Sequence, residues 1–295
     1  MGYTEMNMAT KKAKEDVLVE TVKETKKEII KVKKVLPKKD SEKKVSTKKV
    51  VKEKDSTEEI QAGHESGVTV EQLFEAGAHF GHVAKKWNPK MKEYIWGEKN
   101  GIHIFDLGKT VTLIDKASEV LRKASADGKR IIIVGTKRQA KPLVEEMAKK
   151  AGIPYMTQRW LGGLLTNWKQ IKQTIDRLNT LKLQREAGQL KKFTKKERVL
   201  FDKEIAKLER IVGGVAGLKE VPELVIVIDT HKEKLAVKEA SSRGVMVIGL
   251  VDSNANPDQV DCVIPMNDDS TKALEIVIGE MEKAILVGRK EVKKQ

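Results

Sequence analysis

From Thr69 onward, apolar positions follow two patterns that alternate along the chain. Unbroken apolar runs stand at Ile131–Val134, Leu224–Ile228, 245–251 and 262–264. Between and after them, apolar residues recur every three or four positions, which predicts helices over about 110–126, 138–151, 231–242 and 270–287. Gly152 and Gly244 follow two of these helices and supply their stops. A strand that is apolar at every position must be covered on both faces, because a half-exposed strand would alternate. Strands of that kind separated by helices pair in parallel, so the pattern predicts an α/β fold: a doubly wound parallel sheet with helices on both faces.

Three further elements precede or interrupt this alternation. Thr69-Val70-Glu71-Gln72 has the form of a capping box and starts a short helix. Tyr94-Ile95-Trp96 and Ile102-His103-Ile104-Phe105 are β-favouring runs on either side of a five-residue loop, Gly97-Glu98-Lys99-Asn100-Gly101, and predict a hairpin. Trp168, Ile171, Ile175 and Leu178 are spaced 3, 4 and 3, and Phe201, Ile205, Leu208 and Val212 are spaced 4, 3 and 4. That is the seam of two paired helices. With Gly188 in the turn and a second capping box at Thr194-Lys195-Lys196-Glu197, an antiparallel helical hairpin is inserted over 166–212. The α/β domain then comprises 67–165 and 213–289, with a basic tail at 290–295.

Residues 1–66 contain no Arg, a single aromatic (Tyr3), and 17 Lys against 13 acidic residues. Their few apolar positions cannot offset a chain entropy of roughly 1–2 kcal/mol per residue, so a disordered Lys-rich extension is expected. The net charge of +15 is not confined to it, since 41 basic residues face 30 acidic ones in the remainder. A polyanionic partner follows, nucleic acid before an anionic membrane surface. The single Cys262 excludes an internal disulfide and a Cys-based zinc cluster. The absence of an apolar run of about 18 residues and of a secretory core predicts a soluble, cytoplasmic protein.

Parallel sheets hold ligands at the carboxyl ends of their strands, here Gly135-Thr136-Lys137-Arg138, Asp229-Thr230-His231 and the segment from Asp252 to Asp258. An enzyme binding a nucleotide or sugar phosphate near Gly135 and Asp252 is the competing class. Neither a Walker loop nor a Gly-x-Gly-x-x-Gly turn is present, and Ser253, His231 and Asp229 lack the elbow of a hydrolytic triad. His79 and His82 stand at i, i+3 and could share a helix face, but two ligands without nearby Cys or carboxylate fall short of a metal site, so no metal or other cofactor is expected. Lys85, Lys86, Trp87, Asn88, Lys90 and Lys92 instead combine phosphate-neutralising charge with a ring that can stack or pack. Arg159 and Lys169 flank a Gly162-Gly163 joint bracketed by Trp160 and Trp168, where Thr166 or Asn167 can cap the following helix. Lys191, Lys192, Lys195 and Lys196 crowd the hairpin tip around Phe193 as a contact for a partner.

These blocks together resemble the S2 family of bacterial small-subunit ribosomal proteins over about 68–289. The resemblance is carried by Ala76-Gly77-Ala78-His79-Phe80-Gly81-His82, Trp87-Asn88-Pro89-Lys90-Met91, Gly135-Thr136-Lys137-Arg138, Arg159-Trp160-Leu161-Gly162-Gly163, Thr166-Asn167-Trp168, Val251-Asp252-Ser253-Asn254 and the stretch from Ile264 to Ser270. It implies a flavodoxin-like domain with a protruding hairpin and no catalytic role. It also implies docking on small-subunit rRNA at the junction of head and body, near other ribosomal proteins including the large protein S1. On the matching blocks it makes Lys85 to Lys92, Lys137, Arg138 and Arg159 candidate RNA contacts. The extension 1–66 departs from the family and is a candidate for an added RNA or protein contact.

Overall fold

The computed structural model describes residues 67–292; the extension 1–66 and the last three residues of the tail 290–295 lie outside the described residues. The described elements fall in one unit, Gln61–Gln295. They begin with α1 (Val70–Glu75), β1 (Phe80–Val83), β2 (Ile95–Lys99) and β3 (Ile102–Phe105). There follow α2 (Leu107–Ala126), β4 (Ile131–Val134), α3 (Lys141–Ala151) and β5 (Tyr155–Met156). The paired helices are α4 (Trp168–Glu186) and α5 (Lys195–Val212). The chain returns through β6 (Leu224–Ile228), α6 (Lys234–Arg243), β7 (Met246–Val251), β8 (Cys262–Pro265) and α7 (Thr271–Val292). No helix among the described residues is long and apolar enough to cross a membrane.

The main sheet is parallel throughout, in the order β5-β4-β6-β7-β8. Counting parallel strands along the chain, that order is 2-1-3-4-5, the flavodoxin-like winding, with its reversal between β4 and β6. Successive residues of β4 point to opposite faces, and both faces are covered. Ile131 and Ile133 pack with α1, α2, α3 and α7, whereas Ile132 and Val134 pack with α6, Trp160 and inner residues of α4 and α5 such as Ile175, Leu178 and Ile205. The hairpin thus shares the core of one sheet face, and the short seam read from sequence gains the tertiary support that two such helices need.

Several boundaries moved for identifiable reasons. The Asp106 carboxylate accepts hydrogen bonds from the N–H of Gly108 and Lys109, so α2 starts at Leu107 and not at 110. The hairpin turn is two residues, not five: Asn100 and Gly101 take φ of 54° and 75°, a tight left-handed turn that lets β2 pair as far as Lys99. His79 and His82 share no helix face. Gly77 at φ 76° leads the chain out of α1, and Phe80–Val83 pairs antiparallel with β3 as the edge of a separate three-stranded sheet. The two-residue β5 was too short to show a pattern. The helices expected from 138 and 231 start at Lys141 and Lys234, and α7 runs on to Val292.

Candidate nucleic-acid interface

The loop between β5 and α4 is held by one buried carboxylate. Glu239, projecting from α6, accepts hydrogen bonds from Trp160 Nε1 (3.2 Å), the Gly163 N–H (2.8 Å), the Leu165 N–H (3.2 Å) and the Thr166 hydroxyl (3.3 Å). Arg243, one turn further on α6, donates to the Thr166 carbonyl. The expected side-chain cap of α4 is absent, because the Thr166 hydroxyl is turned to Glu239 and Asn167 makes no side-chain cap bond. Gly163 adopts φ 91°, a left-handed value that permits the tight joint. Arg159 and Lys169 lie on the two sides of this joint, exposed, and neither has an ion-pair partner among the described residues.

The segment holding Lys85 to Lys92 is tied to the carboxyl edge of the parallel sheet. The His82 N–H donates to Ser253 Oγ (2.8 Å), the Asn88 N–H to the Ser253 carbonyl (2.7 Å), and the Asn267 N–H to the Ala78 carbonyl (3.0 Å). These bonds bring the segment beside the loops that follow β7 and β8, on the edge from which Arg138 and Arg159 also project after β4 and β5. Lys85, Lys86, Lys92 and Arg138 are exposed and have no ion-pair partner among the described residues. Lys90 is exposed but ion-paired to Asp258. Asn88 caps the following 3-10 turn by accepting from the Lys90 N–H, and Trp87 packs its half-buried ring on His103, centroids 4.8 Å apart.

Lys137, expected among the RNA contacts, is held by carboxylates in the folded chain. It is 15% exposed, and its ammonium lies 2.7 Å from Asp268, 2.5 Å from Asp269 and 4.0 Å from Asp229. Burial pulls its pKa down, but the hydrogen bonds to Asp268 and Asp269 outweigh that and leave it raised. Behind it, Asp252 accepts from His82 Nδ1 at 3.0 Å, and that hydrogen bond holds the imidazole above its usual pKa. Burial, with the charges of Asp252 and Asp229 beside it, pushes Asp268 up to about 8. Thr136 donates to Glu233, whose carboxyl is raised by burial. Asp229, Asp252 and Asp268 were too far apart in sequence to be read as a group. Ser253 Oγ accepts from the His82 N–H, His231 Nδ1 faces the Asn254 carbonyl, and Asp229 accepts from the Lys232 N–H.

Along the hairpin, charges pair across the two helices: Arg177 with Glu204 (3.1 Å), Lys182 with Glu209 (2.7 Å) and Arg185 with Asp202 (3.6 Å). At the tip they do not. Lys191, Lys192, Lys195 and Lys196 are exposed, with no ion-pair partner among the described residues, beside Phe193, whose ring meets Phe201 edge-on at 5.1 Å. The 19 residues of α4 put the tip about 28 Å from the base along the helix axis.

Residues 73–288 match the family model of ribosomal protein S2. The chain is also similar to the small ribosomal subunit protein uS2 of Chlorobaculum tepidum, at 44% identity over 220 residues, which cover 75% of this chain and 88% of that protein.

Proposed function

The chain belongs to the ribosomal protein S2 family, and on that premise we propose that its unpaired carboxyl-edge cations hold small-subunit rRNA at the junction of head and body. Members of this family are structural constituents of the small ribosomal subunit, and the chain accordingly acts in translation, on the cytoplasmic ribosome, in association with rRNA and other small-subunit proteins. The contact residues are Lys85, Lys86, Lys92, Arg138, Arg159 and Lys169. Lys90 joins them by exchanging Asp258 for phosphate. Trp87 and Asn88 hold the segment in shape, and the lysines of the hairpin tip form a second contact, with RNA or with a neighbouring protein. Protein S1 is proposed as a partner on the family resemblance alone.

The observation that carries this reading is the separation of cations into paired and free. Lys85, Lys86, Lys92, Arg138 and Arg159 at the sheet's carboxyl edge and Lys191, Lys192, Lys195 and Lys196 at the hairpin tip are exposed with no ion-pair partner among the described residues, so a polyanion reaches them without displacing a carboxylate. No catalytic role is assigned. At the strand ends where a phosphate-binding sheet presents amide groups and cations, this chain presents Asp229, Asp252 and Asp268, which repel a phosphate. Replacing Lys85, Lys86 and Lys92 with Gln should weaken binding to small-subunit rRNA and lower the salt slope by about 1 for each phosphate no longer neutralised. Unchanged affinity and slope would remove these residues from the interface. Co-sedimentation with small subunits through high salt supports the assembly role, and thermal stabilisation by a nucleotide would revive the enzyme reading.

A further inference from the structure

Three elements converge on one point beside the sheet edge. His82 comes from β1, Asp252 follows β7 and Asp268 follows β8; one ligand atom from each lies within 4.8 Å of the others. Asp252 and Asp268 are 1% and 2% exposed, while His82 is 27% exposed and leaves the group open on one side. Backbone amides fix the Asp252 carboxylate: Ser253 N–H donates to Asp252 Oδ1 at 2.5 Å, and Asp268 N–H to Asp252 Oδ2 at 3.3 Å. Among the described residues, the ion-pair partners of Asp229, Asp252, Asp268 and the half-exposed Asp269 are Lys137 and His82. Even with the imidazole protonated, negative charge exceeds positive inside a region largely closed to water. Buried carboxylates in such an excess bind either a proton or a cation.

We propose that His82, Asp252 and Asp268 form a binding site for a first-row divalent cation, zinc or manganese. Two donor atoms bound about 2.1 Å from one ion lie about 3.0–3.4 Å apart, depending on whether the geometry is octahedral or tetrahedral. His82 Nδ1 and Asp252 Oδ1 stand 3.0 Å apart already, and rotation of the Asp268 side chain brings in the third donor. One imidazole and two carboxylates suit zinc, manganese or iron better than calcium, which takes six to eight oxygens. Lys137 stays on the far oxygen of Asp268 and orients it, and water completes the shell on the side left open by His82. The ion would replace the proton shared by His82 and Asp252, and so would fasten the 80–83 strand to the loops after β7 and β8. This site is separate from the RNA contacts and does not depend on them.

The test is titration of the chelator-treated full chain with zinc and with manganese, followed by calorimetry in buffers of different ionisation enthalpy. One equivalent should bind, with proton release, and both His82→Gln and Asp268→Asn should weaken it at least tenfold. His231→Gln, which removes an exposed histidine outside the cluster, should leave binding unchanged. If either cluster variant fails to fold, NMR of the histidine-labelled wild type decides: one equivalent of manganese should erase the His82 imidazole signal. Failure to bind a stoichiometric ion, equal loss in the His231 variant, wild-type affinity in a folded cluster variant, or a surviving His82 signal would each overturn the site.

Discussion

Glu239→Ala is the most direct test of how the base of the hairpin is held. The substitution removes the acceptor for Trp160 Nε1 and for the N–H groups of Gly163 and Leu165. Trp160 and Leu165 are buried, at 4% and 1% exposure, so their donors have no water to turn to. Gly163 is only half-buried and Thr166 is exposed, so those two can rehydrate. Two stranded donors at about 1–3 kcal/mol each give a loss of about 2–6 kcal/mol. That is a large share of the roughly 5–15 kcal/mol by which a domain is stable. Urea unfolding followed by tryptophan fluorescence measures it directly. Glu239→Gln keeps one carbonyl acceptor and should lose about half as much. In the Gln variant rRNA affinity should fall while the salt slope stays fixed, because a joint is loosened and every lysine–phosphate pair remains. An alanine variant within about 1 kcal/mol of wild type would refute the assignment of the joint to this carboxylate.

Two further outcomes are expected. A Cβ at Gly288 in α7 would lie 2.3 Å from the Arg122 carbonyl of α2 and 2.8 Å from Ser125 Cβ, so Gly288→Ala must spread the two helices. The overpacking cost of about 1–3 kcal/mol exceeds the helix-propensity gain of up to about 1 kcal/mol, and calorimetry should show a lower Tm; a raised Tm would show that the helices yield freely. Glu233 is neutral more readily in the folded chain than in the unfolded one, so its contribution is full below the ordinary carboxylate value and is lost as pH rises through the raised one. The stability of Glu233→Gln relative to wild type should therefore increase across that window, and chemical denaturation giving a pH-independent difference would contradict the shift.

How much was legible from sequence depended on how far apart the interacting residues lie. Runs such as Ile131–Val134 and stops such as Gly152 act within a few residues, and the sheet, its helices and the paired hairpin follow from them. The Asn100-Gly101 turn was also legible in principle, since that dipeptide favours two left-handed residues, but the whole five-residue span reads equally well as a loop. Glu239 was not legible. Within its helix it reads as one more surface charge, and its partners lie 73 to 79 positions away. The same holds for Lys137, whose closest hydrogen-bonded carboxylate, apart from Asp269, is 131 positions further on. Beside Arg138 it looks like one of two equivalent cations, and only the fold separates them.

That separation bears on how a basic protein's contacts are to be identified, because net charge treats every lysine alike. A lysine that binds phosphate must first give up whatever it holds in the free protein. Lys90 and Asp258 are both more than half exposed, and such a pair contributes about 0–1 kcal/mol, so the exchange of Asp258 for a phosphate is nearly free. Lys137 cannot make that exchange cheaply. Withdrawing it would leave Asp268, at 2% exposure, beside Asp252 with no cation on it, and breaking a buried pair on one side costs about 3–5 kcal/mol. The cost exceeds what one phosphate contact returns, so under the proposed function Lys137 is expected to stay in place and binding to fall to the exposed lysines and arginines that have no ion-pair partner among the described residues.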